Sequence, residues 1–235
     1  MNILAIDTAG PRLSVAIAKD EKIVTLYKSK SERSHSDMLA PSVGRLLKKM
    51  QMRPRDINLY AISIGPGSFT GLRIGVAFVK GMNLFTNKPV VCVPTLDAMA
   101  SMVNADVVCP IVDAKRQNVY TAIYKKGKRV LKYYVIPIAA ILKKLDKATF
   151  TGDGIDVYKG EIIKSLGKKA IFAPKELWHT SADIIAKLGF RMYNENKGVV
   201  RDLSQLTPMY LYPRDIQCRK SQTLSFSCKQ DAVYG

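Results

Sequence analysis

The chain is short of the side chains that usually carry chemistry. Its 235 residues include two histidines, His35 and His179, one tryptophan and four cysteines. The histidines form no HxxxH or HExxH pair, and the cysteines at 92, 109, 218 and 228 form no CxxC, so zinc ligation is not expected. Thiols so spaced read as reduced cysteines of a cytosolic protein. No Gly-x-Ser-x-Gly elbow supplies a serine nucleophile. No apolar run approaches the ~18 residues of a membrane span. The first ten residues include Asp7 and lack the basic start of a secretory signal. The expectation is a cytoplasmic protein with no membrane contact, no catalytic residue, no bound metal and no cofactor.

Acidic residues are scarce too, 19 against 37 Lys plus Arg, for a net charge of +18. Residues 1–100 carry 14 basic and 7 acidic groups and the remainder 23 and 12, so both halves share the excess. The densest clusters are Lys125, Lys126, Lys128, Arg129 and Lys132, then Lys143, Lys144 and Lys147. They show no arginine stripe and little aromatic interleaving, and a solvated lysine surface accounts for them better than direct RNA reading. Against these shortages stands an apolar content of 47%, enough for a chain of this length to bury roughly 70% of its unfolded surface without disulfides.

Self-similarity organises the chain. Residues 2–27 overlay residues 108–133 without a gap, with identities at Asp7/Asp113, Ala16/Ala122, Ile17/Ile123, Lys19/Lys125, Lys22/Lys128, Val24/Val130 and Tyr27/Tyr133. Each copy reads as a three-stranded meander whose first strand ends in Asp. A helix follows over 36–50, with Ser36 as N-cap and Leu39, Val43, Leu46, Leu47 and Met50 on one face; then come a strand at 59–64, a helix at 68–85 and a strand at 89–93. The second half repeats the plan with a helix at 137–146, strands at 148–151 and 170–172, and helices near 156–166 and 180–195. This is α/β architecture: two lobes of mixed sheet flanked by helices, the duplicated ribonuclease-H-like plan of actin, sugar kinases and heat-shock ATPases. The expected division is a first lobe at 1–106, a second at 107–219 and a flexible tail at 220–235.

In that plan each Asp would sit at a phosphate-binding hairpin, followed by a glycine that admits the nucleotide. Here the hairpins read Asp7-Thr8-Ala9-Gly10 and Asp113-Ala114-Lys115-Arg116, without that glycine. Asp7, Thr8, Asp113, Lys115 and Arg116 therefore mark a degenerate nucleotide cleft in which the aspartates cap turns. The rival reading is a free-standing ATP-binding phosphotransferase. Gly67, Gly71 and Gly75 recur at four-residue spacing on one helix, where interior glycines cost about 1 kcal/mol each and imply close backbone contact. Spacing leaves open whether the neighbour is the chain's own sheet or another polypeptide. Trp178 and His179 would pack and cap the helix starting near Ser181.

The chain resembles the bacterial TsaB (YeaZ) family in its Ile-Leu-Ala-Ile-Asp-Thr-Ala start, Ser34-His35-Ser36, and the Gly-Pro-Gly-Ser-Phe-Thr-Gly-Leu-Arg-Ile-Gly block at 65–75. The likeness continues through Pro94 to Ala98, Ile111 to Arg116, Gly152-Asp153-Gly154 and Pro208 to Pro213. It implies a non-catalytic scaffold required with a TsaD-like transferase to place threonylcarbamoyl on the adenosine next to the anticodon of tRNAs reading codons that begin with A. It also implies a TsaE-like ATPase recruited through the complex, a homodimer when the chain is alone, and indirect tRNA contact. Thr95 and Met99 stand where the transferase has its metal-binding histidine pair. Pairing through the first-lobe helices implicates His35, Leu39, Val43, Leu46, Gly67, Phe69, Gly71, Leu72, Gly75, Val79 and Met82, and tilts the glycine stripe towards the subunit interface. On that view Gly71→Leu leaves the lobe folded and blocks pairing.

Overall fold

The computed structural model describes residues 1–29 and 35–211; the tail at 220–235, Ser34 and the Tyr212-Pro213 pair lie outside them. The first sheet is built from β1 (Asn2–Asp7), β2 (Ser14–Lys19), β3 (Lys22–Lys28), β4 (Leu59–Gly65) and β5 (Val90–Pro94), joined by the helices α1 (His35–Lys49) and α2 (Phe69–Thr86). A short α3 (Thr95–Ser101) leads to the second sheet. There β6 (Val107–Asp113), β7 (Asn118–Lys125) and β8 (Lys128–Pro137) are followed by α4 (Ile138–Leu142), β9 (Ala148–Thr151), α5 (Gly154–Leu166) and β10 (Ala170–Phe172). Moved forward by the 106-residue offset, β1, β2 and β3 fall on β6, β7 and β8, and the pairings match: antiparallel within each meander, parallel from its first strand to β4 or β9. The duplicated two-lobed architecture is therefore realised over β1–β5 and β6–β10.

Alternation explains the layers. In β1, Leu4 and Ile6 point to one face, where Leu39, Val43, Leu46 and Leu47 of α1 and Val76 and Val79 of α2 cover them. Ile3 and Ala5 point to the other, against Ala182, Ile185 and Ala186. Those last residues belong to α6 (Ala182–Asn194), which with β11 (Val199–Val200) returns to the first sheet, β11 pairing antiparallel with β5. The range expected for the second lobe thus contains a segment that completes the first one. The physical reason lies in small residues: a Cβ added at Gly189 would stand 2.7 Å from the Ala61 Cβ, so the helix lies close on β4 only because both positions are small.

Other expectations shift by a few residues. The 137–146 helix is confined to Ile138–Leu142, and Ser36, the expected cap, lies within α1. Pro41 sits inside α1 on its solvent side. Trp178 packs in the second core, its indole N–H donating to the Ala173 carbonyl at 2.8 Å.

The α3 helix, unforeseen in the sequence, wedges between the sheets. Leu96, Met99 and Ala100 pack on Val108, Ala122 and Tyr124 of the second lobe. Asp97 clamps it there by accepting hydrogen bonds from the Tyr124 and Tyr133 hydroxyls, with the Arg129 guanidinium 3.9 Å over the Tyr133 ring. Burial first, and then the Asp97 charge, push both tyrosine hydroxyls above their ordinary range. They remain neutral donors.

Candidate functional site

Between the sheets lies a cleft of about 730 Å³. Ala9, Gly10, His35 and Ser68 line its first-lobe wall; Asp113, Lys115, Tyr120 and Asp153 line the other. Of the expected cleft residues, Asp113 and Lys115 therefore reach it, while Arg116 does not line it and Asp7 and Thr8 are sealed behind the hairpin.

Asp7 is 1% exposed, and its carboxylate is fully engaged. One oxygen accepts from the Ser63 hydroxyl of β4 at 2.6 Å and from the Ala9 N–H at 3.0 Å; the other accepts from the Thr180 hydroxyl just before α6. Asp113 repeats the turn-capping bond two residues on, accepting from the Lys115 N–H at 2.9 Å. In place of the other two donors it has Lys115 Nζ at 2.6 Å and the Tyr158 hydroxyl at 3.4 Å. Burial alone would raise the Asp113 carboxyl; the Lys115 hydrogen bonds and charge outweigh it and hold the group below its ordinary value. Asp153 goes the other way, raised mainly by burial although it accepts from the Asp113 N–H at 3.1 Å. Lys115, Arg116 and Gln117 have φ of 63°, 52° and 63°, three successive side-chain-bearing residues in the left-handed region, where backbone strain is stored.

The glycine block faces inwards. An added Cβ would lie 2.4 Å from the Ala9 carbonyl oxygen at Gly67, 2.1 Å from the Thr8 carbonyl oxygen at Gly71, and 2.5 Å from Thr8 Oγ1 at Gly75. The missing side chains let α2 press on the turn that follows Asp7, where the Ser68 N–H also donates to the Ala9 carbonyl at 2.8 Å. The stripe assigned above to a subunit interface is thus occupied by the chain's own backbone. Leu39, Val43, Leu46, Leu72 and Val79 are likewise corrected: all five are buried within the first lobe rather than exposed on it. Phe69 is exposed, while His35, Gly67 and Met82 are partly so; His35 Nε2 donates to the Gly10 carbonyl at 3.0 Å.

A different set faces outwards. Ala40, Pro41 and Gly44 on α1, and Arg73, Ala77 and Gly81 on α2, are exposed, and beyond them Leu84 and Phe85 are 75% and 91% open to solvent. The apolar periodicity of the helices pointed to their buried faces, and only Leu84 and Phe85, apolar but out of phase with it, signalled this one. Gly152-Asp153-Gly154 is the second-lobe counterpart of Gly65-Pro66-Gly67: Gly65 and Gly152 have φ of 111° and 112°, and a Cβ at Gly152 would meet the Ile111 carbonyl oxygen at 2.2 Å. Thr95 and Met99 are buried in α3. Among the described residues no three His, Cys, Asp or Glu side chains are grouped to hold a metal, and no helix is long and apolar enough to cross a membrane.

Known proteins carry the same plan. A family model described as "TsaD: tRNA N6-adenosine threonylcarbamoyltransferase" matches residues 26–223. The protein named tRNA threonylcarbamoyladenosine biosynthesis protein TsaB is 30% identical over 222 residues in Escherichia coli and 29% over 221 residues in Bacillus subtilis, in each case 90% of this chain and 94% of the relative. The crystallised YeaZ from Pseudomonas aeruginosa superposes with a TM-score of 0.74 at 24% identity, over 89% of this chain and 99% of that one. With a family model over most of its length and relatives aligned nearly end to end, the chain belongs to the TsaB (YeaZ) family, within the wider family of the threonylcarbamoyltransferase model.

Proposed function

We propose that this protein is a non-catalytic, cytoplasmic accessory subunit in threonylcarbamoyladenosine biosynthesis. It docks a TsaD-like transferase that modifies the adenosine next to the anticodon in tRNAs reading codons that begin with A. The relatives' names support the pathway. The observation that carries the non-catalytic reading is the state of Asp7. A carboxylate that accepts from Ser63, Ala9 and Thr180, is closed to solvent and does not line the cleft is not presented to a phosphate-bound cation there. The first lobe, residues 1–106 with the returning α6 and β11, carries the docking face; the second lobe, from 107, completes the cleft.

The docking face is the outer side of α1 and α2. Small residues there allow helices to approach closely, and two nearly bare apolar side chains, Leu84 and Phe85, are the kind of surface that association covers. The same face serves a homodimer when the chain is alone, and a TsaE-like ATPase joins through the assembled complex.

Co-expression of a tagged chain with a TsaD-like transferase, followed by pull-down and a threonylcarbamoyladenosine assay, tests the proposal. Leu84→Ser/Phe85→Ser should leave the circular dichroism spectrum and denaturation midpoint within error while the transferase is lost from the pull-down and modification falls at least tenfold. Retention of both at the parental level would move the interface elsewhere. Hydrolysis of ATP by the isolated chain, abolished by Asp7→Asn in a variant that still folds, would favour the phosphotransferase alternative.

A further inference from the structure

Chain order scatters the lysines of the second half; strand register gathers them. In the second sheet the order is β10-β9-β6-β7-β8, and at the edge away from the cleft the first three strands begin while the last two meet in a hairpin. Ala170 stands beside Ala148, Val108 beside Thr149, and Val107 beside Lys125, which pairs across the hairpin with Lys128. The five strand ends therefore present Lys169, Lys147, Asp106, Lys125 and Lys128, a row about 19 Å long if neighbouring strands lie ~4.8 Å apart. Lys126 at the hairpin turn and Lys143 and Lys144 in the turn feeding β9 extend it, all three exposed. Asp146, the one carboxylate in that feeding turn, is bound to Lys169. No described carboxylate pairs with Lys125, Lys126, Lys128 or Lys147.

The duplication supplies an internal comparison. The equivalent first-lobe hairpin reads Lys19-Asp20-Glu21-Lys22, with Asp20 on the terminal ammonium at 2.7 Å and Glu21 on Arg191 at 3.5 Å. Its own formal charge is zero. The second copy reads Lys125-Lys126-Gly127-Lys128, three lysines with no carboxylate among them. The same hairpin, used twice, is formally neutral in the first copy and positive in the second.

We propose that this end of the second lobe binds the phosphate backbone of the RNA substrate. The choice of RNA rests on the function proposed above. The row suits phosphates rather than bases: exposed ammonium groups act as point charges, without the arginine forks or the run of exposed aromatics that read base edges or stack on them. It lies on the lobe that does not carry the docking face, so transferase and RNA can be held together. This departs from the expectation that tRNA contact is indirect.

Fluorescence anisotropy of the full chain with a labelled, unmodified transcript of a tRNA reading codons that begin with A tests the proposal between about 50 and about 200 mM KCl. Each phosphate contact contributes about 0.9 to the logarithmic salt slope, so the parent should lose roughly fortyfold more affinity over that range than Lys125→Gln/Lys126→Gln/Lys128→Gln. Lys19→Gln/Lys22→Gln should keep the parental slope. A triple variant with the parental slope, or an equal loss in the first-lobe control, overturns the proposal. So does a triple variant that loses binding to phosphatidylserine vesicles and keeps its RNA affinity. Both variants should still pull down the transferase; failure of the parent to do so would strike the accessory-subunit reading and leave the RNA comparison standing.

Discussion

The sharpest test of the packing argument is to give Gly71 a side chain. An alanine Cβ there would lie 2.1 Å from the Thr8 carbonyl oxygen, more than an ångström inside contact distance. Thr8 cannot retreat cheaply. On one side Asp7 is tied to Ser63 and Thr180, and on the other the Ala9 carbonyl accepts from the Ser68 N–H. Nor can α2 lift away without uncovering Val76 and Val79. Overpacking of this kind costs about 1–3 kcal/mol, and contact with fixed backbone belongs at the upper end. The gain of about 1 kcal/mol in helix propensity from replacing Gly offsets part of it, for a net loss near 2 kcal/mol. On the same helix Gly81 has nothing within 4 Å of its ideal Cβ, so Gly81→Ala should show the propensity gain alone. Urea denaturation followed by circular dichroism measures both, with the slope held common so that the midpoint reports stability. Midpoints moving in opposite directions are expected. If Gly71→Ala is as stable as Gly81→Ala, the stripe does not clasp the Thr8 turn and an interface role for it returns; the earlier expectation that Gly71→Leu leaves the lobe folded fails with the same contact.

Two further outcomes follow from the titrating groups. Because Asp113 is held below its ordinary value in the folded chain, its ion pair adds stability above the unfolded carboxylate pKa and loses it as pH falls through the folded one. Lys115→Gln should therefore be less stable than the parent at neutral pH, and the difference should vanish in acid once Asp113 is protonated in the folded chain as well; a gap that survives there would assign the effect to the strained turn rather than to charge. Burial pushes the Cys92 and Cys109 thiols up to about 12, so in a chain with Cys218→Ser and Cys228→Ser, native protein at mildly alkaline pH should resist an aromatic disulfide reagent that labels both thiols in guanidinium. Rapid native labelling would mean that β5 or β6 opens.

The fold was legible wherever the determinants are local or repeated. Matched hairpins at one offset located six strands, because alternation and turn chemistry act over a few residues. What the sequence hid are the non-local choices. The pattern of α6 says that Ile185 and Ala186 are buried without saying against which sheet, and that answer depends on how closely Gly189 approaches Ala61. The glycine spacing announced a close neighbour but could not name the Thr8 carbonyl. Apolar periodicity likewise marks the side of a helix that its own core takes, so Leu39 and Val79 stood out in the sequence as core positions do, and the exposed side did not.

The two aspartates show how one ancestral position can diverge within a single chain. Both keep the same bond to the residue two places on, so each still stabilises its hairpin turn. Around Asp7, however, the returning segment brings Thr180 and β4 brings Ser63, and the carboxylate has become a staple joining three parts of the first lobe. A buried acceptor satisfied in this way is costly to remove, because its loss leaves hydroxyls and an N–H without partners. Such an aspartate can therefore outlast any phosphate chemistry, held in place by stability alone. Asp113 lacks the returning segment and stays at the cleft with an exposed lysine as its partner. The difference lies in the donors that each site is offered: the segment before α6 sends Thr180 to Asp7, whereas α3, which covers the second sheet, packs there through Leu96, Met99 and Ala100 and leaves Asp113 to Lys115 and Tyr158.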